Sequence, residues 1–142
     1  MIREFRDEDI DRVMDIWLNT SIVAHDFIDP NYWRDNFDVV KIYYIPVCET
    51  YVYEDELGIQ GFISLLKDNF IGAIFVDDNK RGKGIGSALM NFVKDKYGDF
   101  LLETYKENIN AINFYKKHGF EIMCENLSEE TNKVEVVMAY SK

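Results

Sequence analysis

The sequence predicts one α/β domain in which a mixed sheet carries helices on both faces. Its length of 142 residues is ordinary for a single domain, so we expect residues 1–142 to fold as one unit. Hydrophobic residues make up 47% of the chain, which is enough for a core that needs no disulfides. Helical and strand-like periodicities follow one another in the order βααβββαβαββ, and that order favours a sheet covered by helices.

The amino-terminal third is predicted to form a short strand and then two helices. Residues 2–5 have the composition of a strand, and Asp7 is placed to cap the helix that follows. Apolar residues recur at helical spacing between residues 10 and 21, and again between residues 33 and 44 after Pro30. We therefore expect two helices separated by a short break.

The rest of the chain is predicted to add six strands and two helices. One helix should follow the loop at residues 77–84, and a second should span residues 109–117 and end at Gly119 as its C-cap. Residues 70–76 are apolar throughout, which predicts a central strand covered on both faces. The strands are expected at residues 50–53, 59–66, 70–76, 100–104, 120–124 and 134–140.

Composition predicts a soluble cytoplasmic protein. Cys48 and Cys124 fit no metal or redox spacing, so we expect two core thiols in a reducing compartment and no metal site. The amino terminus is charged from its third residue, and no apolar run reaches the roughly 18 residues of a membrane helix. We expect neither a signal peptide nor a membrane partner.

The net charge of −10 argues against a nucleic-acid partner, because binding to a phosphate backbone needs a basic surface. The charge is unevenly distributed. Residues 1–60 contain 14 acidic and 5 basic residues, whereas residues 79–96 contain five basic residues and one acidic residue. A short basic segment in an acidic protein indicates an anion site.

That basic segment includes a glycine-rich loop between an apolar strand and an amphipathic helix. Residues 79–89 read NKRGKGIGSAL. Glycines leave the backbone amides open to a ligand, and the positive end of the helix dipole lies at the same place. Basic side chains add charge there: Lys80, Arg81 and Lys83. We predict a diphosphate site.

The spacing of the glycines narrows the choice of diphosphate. A dinucleotide fingerprint needs a third glycine where this chain has Ser87, and the nucleoside triphosphate loop is absent. The spacing Arg81-x-x-Gly84-x-Gly86 instead resembles the loop with which N-acetyltransferases of the GNAT superfamily hold the pyrophosphate of coenzyme A. Residues 108–120, NINAINFYKKHGF, resemble that family's second motif, N-x-x-A-x-x-F-Y-x-x-x-G-F.

The resemblance covers most of the chain and implies both a fold and an activity. The fold would be α/β (α+β), with a mixed, mostly antiparallel central sheet of six to seven strands and helices on both faces. The activity would be acetyl-CoA-dependent N-acetyl transfer, by direct attack on the thioester, to a primary amine of a small molecule or a peptide. Dimers are frequent among relatives, so a homodimer is allowed.

The resemblance also implies roles for individual residues. The strand before the glycine loop would splay from the next strand and take the pantetheine arm of the cofactor at Ile74, Phe75 and Val76. Tyr115 would protonate the leaving thiolate, and Asn108 would bond the pantetheine or the substrate. Lys117 would meet an outer phosphate or remain a solvated lysine. The motifs imply these cofactor contacts: Arg81, Gly82, Lys83, Gly84, Ile85, Gly86, Ser87, Asn108, Ala111, Phe114, Tyr115 and Lys117.

The general base stays open at this point. Many relatives carry a glutamate on the strand before the loop, but residues 70–76 contain no ionisable group. The candidates are Glu103, Glu49 and His25, and each has a structural alternative as a sheet carboxylate or a hydrogen-bonded helix end. A water chain or a neutral substrate would also serve.

A second class of function also stays open. The missing strand glutamate favours a catalytically silent coenzyme A-binding sensor or partner module, whereas Tyr115 tells against it. A nucleotide-binding domain is a distant third reading. The resemblance implies that the two amino-terminal helices and the final hairpin loop cover the acceptor side. The net charge of −9 on residues 1–60 would lie there and so points to a cationic acceptor, whose identity the sequence leaves open among small amines, amino acids, antibiotics and protein termini.

Overall fold

One seven-stranded sheet forms the centre of the computed structural model, which describes residues 1–142. Its strands are β1 Ile2–Glu4, β2 Glu49–Asp55, β3 Gly58–Leu66, β4 Phe70–Val76, β5 Asp99–Tyr105, β6 Glu121–Leu127 and β7 Val134–Ser141. They lie in the order β1-β2-β3-β4-β5-β7-β6, and only β4 and β5 are parallel. The predicted mixed, mostly antiparallel sheet is confirmed.

Helices cover both faces of the sheet. They are α1 Ile10–Ala24, α2 Pro30–Asp35, α3 Phe37–Val39, α4 Ile85–Lys96 and α5 Ile109–Lys117. Strand alternation divides the core in two: Val52 and Phe62 pack with α1 and α2, while Tyr51 and Ile63 pack with α4 and α5. None of the helices combines the length and the apolarity needed to cross a membrane.

The second predicted helix is interrupted in the structure. Asp29 caps α2 by accepting a hydrogen bond from the Asn31 amide at 2.9 Å, and Asn36 ends it by donating from its side chain to the Tyr32 carbonyl at 2.7 Å. The chain then continues through α3, one π-helical turn at Val40–Tyr44 and a 3-10 turn at Ile45–Val47. The wider π turn breaks the helical period, so the prediction of one continuous helix was wrong.

The start of α1 also differs from the prediction. Asp7 makes no capping hydrogen bond, and residues 7–9 form a 3-10 turn before the helix begins at Ile10. Asp9 is buried instead, because Arg3 pairs with its carboxylate at 2.8 Å and the Arg6 amide donates to the same oxygen at 2.8 Å. Arg3 lowers the pKa of Asp9, so the buried carboxylate stays charged.

The parallel strands β4 and β5 are paired over only two residues each, and beyond that pairing a gap opens in the middle of the sheet. Only Phe70–Leu101 and Ile71–Leu102 are paired, although each strand has seven residues. Gly72 is an extra residue on β4, because Ser64 and Leu65 of β3 pair with Ala73 and Ile71. Beyond the bulge β4 is only half-buried, because its edge toward β5 is open. Its side chains pack into the core on both faces, so the prediction of a strand covered on both faces is confirmed.

The last helix and the two last strands lie where the sequence predicts them, although β6 runs three residues beyond the predicted end at residue 124. The helix before it ends at Lys117, and Gly119 adopts the expected left-handed conformation at φ +90°. Both cysteines are free thiols. Cys124 lies exposed on the edge strand β6, so it is not the core thiol that the sequence predicted; Cys48 is half-buried, and burial raises the pKa of its thiol.

Candidate active site

The two sequence motifs meet at the open end of the gap between β4 and β5. Because these strands are parallel and part after Ile71 and Leu102, the gap opens toward their carboxyl ends. The glycine loop follows the end of β4, and Asn108 follows the end of β5 at the start of α5. One cavity of about 250 Å³ is lined by both Arg81 and Asn108. The fold therefore joins two segments that are distant in sequence.

The free edge of β4 presents backbone groups to this gap. The Asp77 amide donates to the Gln60 carbonyl of β3 at 2.8 Å, and successive amides of a strand point to opposite edges. Ile74 and Val76 therefore turn their backbone groups toward the gap. Phe75 does not: its backbone faces β3, and its ring packs on Phe62 at 5.9 Å.

The glycine loop has the geometry of an anion cradle. Gly82 and Gly84 have positive φ angles of +80° and +79°, and a Cβ added at either one would meet nothing within 4 Å. The first amides of α4 have no partner within the helix, because the first helical bond runs from Ala88 to Gly84 at 3.0 Å. Lys83 has no ion-pair partner. Open space, free amides and positive charge thus coincide.

Contacts between α4 and α5 fix the loop against the second motif. A Cβ at Gly86 would lie 3.3 Å from the Phe114 ring, so any other residue there would push the ring away by a few tenths of an ångström. Ser87 Oγ lies 3.0 Å from His118 Nε2, which ties the first turn of α4 to the end of α5. Lys117 is exposed and has no ion-pair partner, which fits both a contact with an outer phosphate of the cofactor and a solvated lysine.

Tyr115 is half-buried on the inner side of α5 and has an unpartnered hydroxyl. Its ring packs against Phe114 and Phe120, with centroids 5.5 and 5.8 Å away. No protein group hydrogen-bonds to its Oη. Burial raises its pKa, so the phenol remains protonated at neutral pH. A protonated hydroxyl without a protein partner is available to donate to a ligand.

A group of carboxylates lies on the α1–α2 face of the sheet. Glu103 of β5 pairs in register with Val137, and Tyr105 pairs with Glu135 of β7, so the two glutamates are diagonal neighbours on one face. Glu135 is half-buried, and burial followed by the charge of Glu103 raises its pKa. Glu130, on the loop between β6 and β7, accepts a hydrogen bond from Tyr32 Oη at 2.6 Å.

Sequence reasoning found only Glu103 in this carboxylate group. Glu130 and Glu135 were missed because their approach depends on the β5–β7 register and on the course of the last loop. The alternation of β7 around the core residues Val136 and Met138 is the signal that puts Glu135 on the same face as Glu103.

His25 and Glu49 lie apart from the exposed carboxylates. His25 is only 6% exposed, so the sequence expectation that it touches substrate finds no accessible side chain. Glu49 accepts hydrogen bonds from the hydroxyls of Tyr51 and Tyr97, the latter at 2.8 Å, on the α4 side of the sheet. Glu49 pairs with Leu65 of β3, and Leu65 pairs with Ile71 of β4, where β4 and β5 are still joined. Glu49 is therefore level with the closed end of the gap, opposite to the glycine loop.

Comparison with known proteins decides the family. The model of the acetyltransferase (GNAT) domain matches residues 46–122. Peptidyl-lysine N-acetyltransferase YiaC of Escherichia coli K12 is 34% identical over 140 residues, which cover 99% of this chain and 96% of that protein. The chain belongs to the GNAT family of acetyltransferases. The E. coli K12 peptidyl-lysine N-acetyltransferase YjaB is 27% identical over 85% of this GNAT chain and 82% of its own length.

Solved structures agree with this GNAT assignment. The apo form of YjaB from E. coli superposes with a TM-score of 0.85 at 26% identity, covering 99% of this chain and 96% of that one. A putative streptothricin acetyltransferase from Bacillus anthracis, in complex with acetyl coenzyme A, has a TM-score of 0.61 at 26% identity over 68% of this chain and 64% of its own. The predicted family, fold and enzyme class are confirmed.

Proposed function

We propose that this chain transfers the acetyl group of acetyl-CoA to the ε-amine of lysine in a peptide or protein. The observation that carries the proposal is the gap between β4 and β5, which opens at the glycine loop on one strand and at Asn108 on the other. The names of the YiaC and YjaB relatives, peptidyl-lysine N-acetyltransferases, support the choice of acceptor.

The residues at the open end fit the cofactor. The first amides of α4, the space above Gly82 and Gly84, and the charge of Lys83 suit a diphosphate. The backbone of Ile74 and Val76 suits the amide groups of a pantetheine arm. When bound, acetyl-CoA supplies a thioester whose carbonyl is open to attack and whose thiolate can leave.

Tyr115 is the proposed acid. Its phenol is protonated at neutral pH, its hydroxyl has no protein partner, and α5 carries it on the same helix that Asn108 begins. A proton given to the departing sulfur neutralises the charge that forms as its bond to the acyl carbon breaks, so that it leaves as a thiol. Such a positioned donor contributes roughly 100- to 10,000-fold to the rate.

Glu103 is the proposed base. It is exposed on the face that α1 and α2 border, and no ionisable side chain exists on β4 to take its place. The acceptor lysine arrives as an ammonium, since its ordinary pKa is about 10.4, and must lose a proton before it attacks. The Glu103 carboxylate accepts that proton directly or through one water.

The acidic surroundings support a cationic acceptor. Glu130 and Glu135 lie near Glu103, and the residues that form α1 and α2 belong to the segment with a net charge of −9. Negative charge along the approach attracts lysine side chains and raises the association rate at low salt. A peptide rich in basic residues is therefore the favoured substrate.

The test is direct. Purified protein is mixed with acetyl-CoA and lysine-containing peptides, free thiol is followed in time, and acetylated lysines are mapped by mass spectrometry. Thiol release matched by lysine acetylation supports the proposal. Tight acetyl-CoA binding without turnover on any peptide or small amine would instead identify the silent coenzyme A-binding module.

A further inference from the structure

His25 occupies a closed aromatic site at the end of α1. Its ring stacks on Trp33 at 4.7 Å between centroids, and Phe27 and Tyr105 contact it edge-on at 5.8 and 5.4 Å. With 94% of its surface covered, the ring does not meet an incoming substrate. A buried histidine in a catalytic domain needs another explanation, because its two nitrogens must both find partners.

The hydrogen bonds of the ring fix its tautomer. Nδ1 lies 2.8 Å from the Ser21 carbonyl, which can only accept, so Nδ1 carries the hydrogen. In the neutral ring Nε2 is then an acceptor. Burial lowers the pKa of His25, so the neutral form is the one present at neutral pH.

Asn108 faces this acceptor in one orientation. The Ala111 amide donates to Asn108 Oδ1 at 3.2 Å, which caps α5. An amide hydrogen cannot be donated to the NH₂ group, so this cap directs Asn108 Nδ2 toward His25 Nε2, 3.4 Å away. The tautomer of His25 and the orientation of the Asn108 amide are therefore consistent with each other: the amide donates and the ring nitrogen accepts.

We propose that His25 is a positioning residue: its neutral Nε2 holds the Asn108 side chain and thereby the start of α5, the helix that carries Tyr115. The inference deepens the proposed function and rests on it for the role of Tyr115. His25 takes no part in proton transfer to or from the acceptor. It connects α1, on the acceptor side, with the helix on the cofactor side.

Protonation of His25 would break this arrangement. A ring with hydrogens on both nitrogens needs a second acceptor, whereas Asn108 turns its Nδ2 donor toward Nε2; Asn108 Oδ1 could accept only by leaving the cap on Ala111. The groups around the ring from other elements are Tyr105 of β5 and Trp33 of α2, neither charged at neutral pH; Asp26 and Glu107 line the adjacent cavity. Activity should therefore fall as the pH drops below the ordinary histidine range, about 6.5.

Three substitutions separate the contacts of His25. His25→Gln can present Oε1 where Nε2 lies and so keep an acceptor for Asn108. His25→Asn keeps only the donor to Ser21, and His25→Phe keeps only the stacking on Trp33. We expect kcat to fall roughly 10- to 100-fold in the Asn and Phe variants, and to stay within a few-fold of the native value in His25→Gln. The KM for the peptide should change little.

The pH profile and NMR distinguish positioning from mere packing. The acid limb due to His25 should be absent in His25→Gln; an unchanged acid limb, or a native kcat in His25→Phe, overturns the inference. Nitrogen-15 NMR of the native ring should show hydrogen on Nδ1, with the Asn108 amide protons shifting as His25 titrates. Hydrogen on Nε2 would overturn the inference, and this NMR result does not depend on activity. The inference can therefore fail while lysine acetylation is found, and it can be tested even if no acetylation is found.

Discussion

Tyr32 of α2 donates a hydrogen bond from Oη to Glu130 Oε2 at 2.6 Å, across 98 residues of chain. This contact joins α2 to the loop between β6 and β7. Both burial and Glu130 raise the pKa of Tyr32, so the phenol remains the donor and Glu130 the acceptor. The Tyr32–Glu130 bridge restrains the loop beside Glu103 and Glu135.

Removing the bridge should weaken acceptor binding. In Tyr32→Phe we expect the KM for a lysine peptide to rise by roughly 3- to 10-fold, which is the size of one exposed hydrogen bond, with little change in the KM for acetyl-CoA. Steady-state kinetics with each substrate varied in turn measures this. Tyr43→Phe is the control, because Tyr43 is 70% exposed and makes no side-chain hydrogen bond. An equal change in both variants would contradict the role of the bridge.

Two glycine substitutions distinguish the effect of backbone strain on stability from the effect of a lost cofactor contact on binding. Gly84→Ala and Gly58→Ala both place a Cβ on a residue with positive φ, +79° and +108°, and neither Cβ meets a protein atom within 4 Å. Each should destabilise the fold by about 1 kcal/mol. Only Gly84→Ala should also weaken acetyl-CoA binding, at least tenfold by calorimetry, because its Cβ occupies the proposed diphosphate space. Equal affinity in the two variants would remove the glycine loop from the site.

Replacing the phenol should slow turnover without disturbing cofactor binding. For Tyr115→Phe we expect kcat to fall roughly 100-fold or more, since a positioned acid is lost. The ring keeps its packing on Phe114 and Phe120, and its hydroxyl has no protein partner to lose. Calorimetry should therefore give a native Kd for acetyl-CoA. A native kcat would assign proton donation to another group.

Glu103 and Glu49 should differ in their effect on the rate, because they lie at different places on the sheet. Glu103→Gln should lower kcat/KM for a lysine peptide about 100-fold at pH 7. Raising the pH should recover part of the loss, because more of the lysine is then neutral. Glu49→Gln should leave the rate unchanged, since Glu49 is held by Tyr51 and Tyr97 at the closed end of the gap. Equal losses in both variants would contradict this division.

Salt should slow the reaction with a cationic acceptor. The approach carries Glu103, Glu130 and Glu135, and residues 1–60 have a net charge of −9. We expect kcat/KM for a basic peptide to fall as ionic strength rises from about 0.01 to 0.15 M, where the Debye length shortens from roughly 30 to 8 Å. A neutral amine serves as the control. Salt-insensitive kinetics with the basic peptide would exclude electrostatic steering.

Local patterns in the sequence predicted the two motifs and most elements correctly. The glycine spacing at residues 82–86 and the end of α5 at Gly119 depend on a few consecutive residues, whose backbone requirements are visible in the sequence. The order of the strands across the sheet was not predicted, because it depends on pairing between segments that are distant in sequence.

The errors and omissions at Asp9, Phe75 and His25 concern contacts between separate secondary-structure elements. Asp9 replaced Asp7 at the start of α1 because Arg3 reaches it from β1. Phe75 turned its backbone away from the gap because the bulge at Gly72 sets the alternation of β4. The partnership of His25 with Asn108 required two helices separated by 83 residues to meet.

Amide hydrogen exchange with and without acetyl-CoA tests the central claim most directly. If the gap between β4 and β5 holds the cofactor, exchange should slow at Ile74 and Val76 and at the first amides of α4, residues 85–87. Phe75, already paired with β3, should exchange at the same rate in both states. Protection confined to other parts of the chain, or none at saturating acetyl-CoA, would contradict the account.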